Sequence, residues 1–127
     1  MLWMQTDANL VLYKCFNKHC SGSTGRQPIW ASNTYGRGKG PYTLVMQNDN
    51  ALVIYDTHSN PIWWNNALID KSGLVDYQWT KGAYATLQDD GNFVVYDGQH
   101  RTMWDTGTYN GKQGVYGTGR KHKLKTF

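Results

Sequence analysis

A nine-residue pattern that occurs three times constrains the fold of this chain more than any other feature of its sequence. The copies begin at Gln5, Gln47 and Gln88, which are 42 and 41 residues apart. A second element, centred on a tryptophan, follows each copy: Trp30, Trp63 and Trp104. A repeated unit of this kind can bury its apolar face only against its neighbours. The repeat therefore constrains the architecture more strongly than the secondary-structure propensities of single residues do. The sequence therefore predicts one body built from three equivalent units.

The units cover about residues 2–34, 42–67 and 83–108, and we refer to them as unit one, unit two and unit three. Together they predict one domain over residues 1–116, an ordinary domain size in a chain of 127 residues. Residues 117–127 form a basic tail that carries four of the thirteen lysines and arginines and leaves the rest of the chain formally neutral. A terminal charge run is usually a solvated, poorly ordered end, and we expect the same here.

Composition favours strands over helices. The chain contains nine aspartates and no glutamate, which is a good helix former, and it is rich in glycine, tyrosine and tryptophan. No apolar run is long enough to cross a membrane and no signal peptide is visible, so we expect a soluble protein. A β-propeller has repeats of similar length, but three units are fewer than the four or so blades that close one. The sequence therefore predicts an all-β fold other than a β-propeller.

Each nine-residue motif is predicted to be a hairpin. A single straight strand would hold its first and last residues, Gln and Tyr, about 26 Å apart. The middle of the motif in unit three is Asp90-Gly91-Asn92, and Asp-Gly between apolar strands is a strong turn signal. We therefore expect two short strands that bring Gln and Tyr toward each other across a turn. The residues expected to point inward, forming a core with the three tryptophans, are Leu10, Leu12, Leu52, Ile54, Phe93 and Val95.

The polar side chains of the motif are those that a sugar-binding site needs. Sugar hydroxyls both donate and accept hydrogen bonds, so a matching site requires a carboxylate, amides and a phenol. Turn formation alone explains the repeated Asp and Asn, but it does not explain why Gln and Tyr recur at fixed offsets. The candidate site residues are Gln5, Asp7, Asn9, Val11 and Tyr13 in unit one, Gln47, Asp49, Val53 and Tyr55 in unit two, and Gln88, Asp90, Asn92, Val94 and Tyr96 in unit three.

The motif Gln-x-Asp-x-Asn-x-Val-x-Tyr, present three times with its trailing tryptophan element, resembles the bulb-type (monocot) mannose-binding lectins. The resemblance covers about residues 2–108. It implies a β-prism of three four-stranded antiparallel sheets with pseudo-threefold symmetry and a shallow mannose pocket on each sheet. In that family the Gln, Asp, Asn and Tyr side chains hydrogen-bond the sugar hydroxyls and the Val packs on the ring. The resemblance implies no metal and no cofactor.

Unit two departs from the family motif. Ala51 stands where the motif has Asn, and the neighbouring Asn50 comes one position early. Since a shift by one position points a side chain to the other face, Asn50 is not expected to substitute. We therefore expect two intact sites and one impaired site.

The order of the units also differs from the family. The chain opens almost at the first motif, whereas the family has a further strand segment ahead of it, and residues 68–74 with residues 77–87 resemble that segment. Either the units follow a permuted order or the chain is a fragment of a longer one, and the sequence does not choose between the two.

Unit one contains a nine-residue insertion, within residues 14–28, that holds both cysteines of the chain. Cys15 and Cys20 are predicted to form a local disulfide, which favours a secreted or extracellular protein; reduced cysteines would fit the cytoplasm equally well. His19 lies beside them, but three candidate ligands are fewer than the four of a structural zinc site, so no metal site is expected.

Catalysis is not expected. Glycoside hydrolysis needs two carboxylates at a defined separation, whereas the recurring aspartates come one per unit. No nucleophile elbow, phosphate loop or paired-histidine zinc motif occurs. Trp64 and Trp79 break the repeat, which makes them the candidates for a surface tryptophan that stacks on a sugar.

The sequence thus predicts a non-enzymatic lectin that binds mannose or mannose-rich glycans and glycoproteins, with neither nucleic acid nor a membrane as partner. We expect a homodimer, because the family often dimerises by exchanging a terminal strand and residues 109–116 follow the last tryptophan element. Two alternatives stay open. One is a β-prism protein that has lost sugar binding, and the other is a nucleic-acid binder that acts through the basic tail. The motif does not predict which glycan linkage is preferred.

Overall fold

Three antiparallel sheets contain nearly all of the regular structure in residues 1–65 and 82–122, the part of the chain that the computed structural model describes. The strands are β1 Leu2–Met4, β2 Leu10–Cys15, β3 Arg26–Ala31, β4 Thr43–Met46, β5 Leu52–Tyr55, β6 Pro61–Trp64, β7 Tyr84–Leu87, β8 Phe93–Tyr96, β9 Thr102–Asp105 and β10 Arg120–Lys121. A four-residue helix, α1, covers Gly22–Gly25, and a 3-10 turn covers Tyr109–Gly111. No helix within these two ranges is long and apolar enough to cross a membrane. The predicted all-β fold is confirmed.

Each unit forms its own sheet. The sheets are β1-β2-β3 in unit one, β4-β5-β6 in unit two and β7-β8-β9 in unit three, where β10 adds a further strand beside β9. Over the described residues, two sheets therefore have three strands and the third has four, where the resemblance implied four in each. The first two strands of every unit pair in the same register, with Met4 facing Leu10 in unit one and Leu87 facing Phe93 in unit three. The threefold repeat of the sequence is thus a threefold repeat of the structure.

The turn of each motif hairpin is built by its aspartate. In each unit the aspartate Oδ1 accepts a hydrogen bond of 2.9 or 3.0 Å from the backbone N–H two residues later. The residue between them has positive φ: 79° at Ala8, 69° at Asn50 and 88° at Gly91. This conformation favours glycine and, among the other residues, asparagine. The predicted hairpin is confirmed, with the motif running from the end of one strand through the turn into the next.

The core lies where the three sheets meet. The six residues predicted to point inward are each at most 5% exposed. Trp30, Trp63 and Trp104 meet edge to face, with ring centroids 5.7 to 6.0 Å apart. Aromatic pairs in this geometry add to the stability gained from burying their surface. Since each tryptophan comes from a different sheet, this tryptophan triad joins the three units, and the predicted core is confirmed.

Residues 112–122 run back over the body of the protein. Gly114 and Gly117 donate backbone hydrogen bonds to carbonyls of β3. The Thr118 carbonyl accepts from Trp30 Nε1 at 2.6 Å, and the Gly117 carbonyl accepts from Trp63 Nε1 at 3.0 Å. Indole N–H groups buried in a core need such partners, and this segment supplies them for Trp30 and Trp63. Residues 117–122 therefore belong to the folded domain, which differs from the expectation of a poorly ordered tail starting at residue 117.

Asp105, at the end of β9, fixes β10 to the third sheet. Its buried carboxylate accepts hydrogen bonds from Arg120 Nε at 2.8 Å and Arg120 Nη2 at 3.0 Å, and it lies 2.7 Å from His122 Nε2. Burial disfavours the charged carboxylate, but the bonds from Arg120 and His122 outweigh this and hold the pKa of Asp105 below its ordinary value. Part of the basic charge near the C-terminus is thus paired within the fold.

We expect acid to loosen β10 through Asp105. A lowered folded-state pKa means that the ionised carboxylate stabilises the fold; this stabilisation is complete above the unfolded-state pKa of about 3.9 and is lost as the pH falls through the lower folded-state value. Asp105→Asn should lower the urea midpoint near neutral pH and reduce its fall on acidification. The control is Asp89→Asn, an exposed residue of a turn. An acid dependence in Asp105→Asn as steep as in the wild type would contradict this role.

The insertion in unit one lengthens its second hairpin. β2 and β3 have six residues each, whereas their counterparts in the other units have four. The additional pairs are Lys14 with Gln27 and Cys15 with Arg26. Cys15 is joined to Cys20 by a disulfide with an S–S distance of 2.05 Å, which confirms the predicted pairing. The disulfide closes the loop at the far end of the lengthened hairpin.

Several expectations fall on residues 66–81 and 123–127, which lie outside the described residues. They concern Trp79 as a surface tryptophan, the resemblance of residues 68–74 and 77–81 to the family's opening segment, and the lysines at the end of the tail. The order of the units relative to the family therefore stays a prediction.

Candidate carbohydrate-binding site

The glutamine and the tyrosine of each motif meet across the hairpin, as predicted. The hydrogen-bonded pairs are Gln5 with Tyr13, Gln47 with Tyr55, and Gln88 with Tyr96, at 2.7 Å in the first and 2.5 Å in the last. All six side chains are partly exposed. Each sheet thus presents an amide and a phenol side by side at its surface.

The motif aspartate lies next to this pair. In unit one, with the Gln5 amide oriented so that its oxygen accepts from the Tyr13 hydroxyl at 2.7 Å, its nitrogen lies 3.2 Å from both carboxylate oxygens of Asp7. Asp7 Oδ1 also accepts the turn N–H of Asn9 at 2.9 Å. A carboxylate has about four lone-pair positions, so Asp7 keeps acceptor capacity for a hydroxyl of a ligand.

The motif asparagine of unit one is held by its oxygen. Asn9 Oδ1 accepts from the Thr34 N–H at 3.2 Å and from the Ser32 hydroxyl at 3.3 Å. The Thr34 hydroxyl lies 2.7 Å from Ser32 Oγ and donates to the Ala8 carbonyl at 2.6 Å. Asn9 Nδ2 donates to no group within residues 1–65 and 82–122. Because the oxygen is fixed, both hydrogens of this nitrogen are available to an oxygen of a ligand.

Unit three repeats this network. Asn92 Oδ1 accepts from the Thr108 N–H and from the Thr106 hydroxyl, both at 3.2 Å. The Thr108 hydroxyl lies 2.8 Å from Thr106 Oγ1 and donates to the Gly91 carbonyl at 2.8 Å. We call Ser32 with Thr34, and Thr106 with Thr108, the hydroxyl pairs. In both units the hydroxyl pair closes the turn and fixes the orientation of the motif asparagine.

Unit two closes the same turn without a motif asparagine. Asn65 occupies the position of Ser32 and Thr106. Its Oδ1 accepts from the Leu52 N–H at 3.2 Å, and its Nδ2 donates to the Asn50 carbonyl at 3.3 Å. In units one and three the equivalent backbone N–H and carbonyl are bonded by two separate hydroxyls, one from each residue of the hydroxyl pair. One amide therefore does the structural work of both hydroxyls.

The two residues at the centre of the unit-two motif are both buried. Asn50 has no exposed surface, as expected for a side chain directed away from the face of the motif residues, and Ala51 is 2% exposed. The structure brings the Gln and Tyr of unit two together and places its aspartate in the turn, but at position 51 there is no amide to complete the set.

The motif valines lie on the same face as the polar side chains and are nearly covered. Val11, Val53 and Val94 are 5%, 5% and 3% exposed. The residues paired with them on the third strand of each unit are Ala31, Trp64 and Asp105, respectively. Trp64 is 45% exposed, so it is a surface tryptophan as predicted, and it lies on the site face of unit two.

The hydroxyl pairs are the functional feature that sequence reasoning missed. The signal was present in the tryptophan element, which reads Ser32-Asn33-Thr34 and Thr106-Gly107-Thr108 in the units that keep the motif asparagine. It reads Asn65-Asn66-Ala67 in the unit that has lost it. The hydroxyls and the motif asparagine are therefore present together or absent together.

The donor set of the site is that of a polyol receptor. Each unit offers one carboxylate with amide and phenol groups. Within the described ranges, no three His, Cys, Asp or Glu side chains lie close enough together to hold a metal ion. Cys15 and Cys20 are bonded to each other.

The chain is similar in sequence and in fold to known mannose-binding lectins. A mannose-specific lectin of Aloe arborescens is 39% identical over 77 residues, which are 61% of this chain and 62% of that protein. A monomeric monocot mannose-binding lectin from Gastrodia elata is 34% identical, with a TM-score of 0.62 over 85% of this chain and 79% of that one. This chain belongs to the bulb-type (monocot) mannose-binding lectin family. The mannose-specific agglutinin of snowdrop (Galanthus nivalis) bulbs, solved with methyl-α-D-mannoside, is 34% identical, with a TM-score of 0.55 over 85% of this chain and 78% of that one.

As a member of this family, the chain has the β-prism architecture that its three sheets and its tryptophan triad form. No model of a known protein family matches the sequence. The chain spans 62% of the length of the Aloe relative. The relatives are named as lectins, in agreement with the expectation that this chain is not an enzyme.

Proposed function

We propose that this bulb-type lectin binds mannose or mannose-rich glycans through units one and three, and that unit two is impaired. The asparagine network carries the proposal. Asn9 and Asn92 each have their oxygen fixed by a hydroxyl pair and, among the described residues, their nitrogen unengaged, beside an aspartate and a bonded Gln–Tyr pair. A donor next to a carboxylate acceptor suits two neighbouring hydroxyls of a hexose, each of which donates and accepts.

The relatives support mannose as the sugar. The Aloe protein is named mannose-specific, and the snowdrop agglutinin was solved with methyl-α-D-mannoside. The alternative of a β-prism that has lost sugar binding is favoured only for unit two, where Ala51 and Asn65 replace the asparagine network. Nucleic-acid binding has less support, because the relatives are named as lectins and Arg120, one of the four basic residues of the tail, is engaged with Asp105.

The test is a unit-resolved titration with methyl α-D-mannoside, followed through the side-chain amide NMR signals of Asn9 and Asn92. Both signals should shift, with dissociation constants in the millimolar range, because a few hydrogen bonds exchanged against water bind a monosaccharide weakly. Asn92→Ala should abolish binding in unit three and leave the Asn9 signal responsive. Asn48→Ala, at an exposed turn position of unit two, is the matched control. Undiminished binding by an Asn9→Ala/Asn92→Ala double variant would disprove the proposal.

Assembly is part of the proposal. Weak single sites gain affinity when several engage one branched glycan, so a homodimer with four working sites would bind far more tightly than one chain. Exchange of residues 109–122 between two chains would keep the hydrogen bonds to β3 and to the tryptophan triad while transferring them to a partner. The related Gastrodia lectins are described as monomeric. Sedimentation velocity on the titrated samples tests this, and a monomer at micromolar concentration would remove the dimer from the proposal.

The proposed location is secreted or extracellular. The disulfide between Cys15 and Cys20 supports it, because such bonds persist in oxidising compartments. Cell fractionation with thiol labelling tests this location, and free thiols at both cysteines in the native protein would contradict it.

A further inference from the structure

The insertion of unit one gives that unit a charged residue next to its candidate site. Because β2 and β3 are longer than their counterparts, Arg26 is added at the start of β3, paired with Cys15 and just beyond Tyr13. The guanidinium carbon of Arg26 lies 4.7 Å from the centre of the Tyr13 ring and 5.4 Å from the centre of the Trp3 ring. Arg26 therefore stacks directly on the phenol ring of the Gln5–Tyr13 pair.

The surroundings of Arg26 orient its charge without neutralising it. Cation–π contacts with two rings hold the guanidinium in place. Across the described residues, no carboxylate lies within 4.0 Å of Arg26, and its side chain donates no hydrogen bond. Its five N–H donors are thus available, in the planar arrangement that matches a carboxylate or a phosphate.

Trp3 adds an exposed aromatic wall to the same place. It pairs with Val11 across β1 and β2, so both side chains lie on the site face of the sheet. Trp3 is 44% exposed, and Val11 is no more covered than Val53. The indole therefore stands at the rim of the candidate pocket.

Unit three has the same motif, but its tyrosine is stacked on another tyrosine and not on an arginine. There Tyr84 stacks on Tyr96 with ring centroids 5.2 Å apart, and the Tyr84 hydroxyl lies 2.9 Å from His100 Nδ1. In the part of the chain that the structure describes, no arginine stacks on the motif tyrosine of unit three. The two units that carry a complete motif thus differ in the group that stacks on the motif tyrosine: a guanidinium in unit one and a phenol in unit three.

We propose that unit one selects mannose-containing glycans that carry an anionic group, a carboxylate or a phosphate, close to the bound mannose, and that Arg26 is the residue that recognises this group. Unit three binds mannose without a preference for such a group. The proposal rests on mannose binding by the motif and extends it: one chain then offers two sites with different ligand preferences. It also gives the insertion a role, since the insertion and its disulfide hold Arg26 at the edge of the pocket.

The experiment compares three ligands at each unit through the Asn9 and Asn92 amide signals. They are methyl α-D-mannoside, mannose 6-phosphate and a disaccharide of mannose linked to glucuronic acid. At low ionic strength unit one should bind at least one charged ligand about fivefold more tightly than the neutral one, and salt should reduce this preference. Unit three should show no such preference. Whichever charged ligand is favoured identifies the source of the anionic group.

The variants are Arg26→Gln and a matched control, Lys18→Gln, which removes an exposed cation from the same insertion. Arg26→Gln should remove the preference for the charged ligand at unit one, Arg26→Lys should restore part of it, and Lys18→Gln should keep it. Equal affinities for charged and neutral ligands at unit one of the wild type would overturn the inference while leaving mannose binding intact. Absence of any response to methyl mannoside would instead refute the proposed function.

Discussion

Replacing Ala51 with Asn alone should leave unit two unable to bind methyl α-D-mannoside at concentrations that saturate units one and three. The new amide would lie beside Asn65, which already bonds the Leu52 N–H and the Asn50 carbonyl. No hydroxyl pair would hold the oxygen of the introduced asparagine, so its nitrogen would not be directed toward the sugar.

The triple variant Ala51→Asn/Asn65→Ser/Ala67→Thr reproduces in unit two the residues of the network in unit one. We expect it to bind a third mannoside, with an affinity within about tenfold of the other sites, since each hydrogen bond contributes about 0.5–1.5 kcal/mol. The amide signal of the new asparagine reports binding directly. The reverse change, Ser32→Ala/Thr34→Ala, should weaken unit one. A single Ala51→Asn variant that binds as tightly as unit one would show that the hydroxyl pair is not required.

Trp30→Ala should bring the whole protein close to unfolding. Trp30 has no exposed surface, contacts both other members of the tryptophan triad, and bonds the Thr118 carbonyl at 2.6 Å. Removing a buried tryptophan costs about 3–5 kcal/mol, a large share of the roughly 5–15 kcal/mol that stabilises a typical domain.

The change is measured by urea unfolding followed by far-ultraviolet circular dichroism, which does not depend on tryptophan emission. The control is Trp3→Ala, which removes an indole that is 44% exposed and contacts Arg26 and Tyr13. It should cost about 1 kcal/mol, well below the loss expected for Trp30→Ala. Because the triad joins three sheets, Trp30→Ala should also abolish sugar binding at units one and three together. A variant that loses less than about 1.5 kcal/mol would show that the triad is not the centre of the fold.

The parts of the fold that were predicted from sequence are those whose chemistry is local. The turn signal at Asp90-Gly91 and the alternation of apolar residues around it lie within nine positions. The hairpin, the core residues and the candidate site residues could therefore all be predicted from the same short motif. The disulfide closes a loop of only a few residues, so its pairing could also be predicted from the sequence.

What could not be predicted depends on contacts between distant segments. β10 has two residues, and its place is set by Asp105, fifteen positions before Arg120. The charge of the tail does not indicate that the carbonyls of Gly117 and Thr118 accept hydrogen bonds from the indoles of Trp63 and Trp30. The hydroxyl pair of unit one lies 23 to 25 positions after Asn9, and the function of Arg26 requires knowing which aromatic rings it faces.

The position of Thr118 over the tryptophan triad has a consequence for how the chain reaches its native state. Trp30 and Thr118 are 88 positions apart, and β10 pairs with a strand of the last unit. Three hairpins can form locally as synthesis proceeds, but the segment that bonds two of the core indoles is made only after all of them. Contacts between residues so far apart in sequence form slowly. Until they form, the three sheets expose aromatic surface and unpaired strand edges. The nascent protein therefore exposes these surfaces until residue 118 has left the ribosome, and chaperone supply should affect its yield most during that interval.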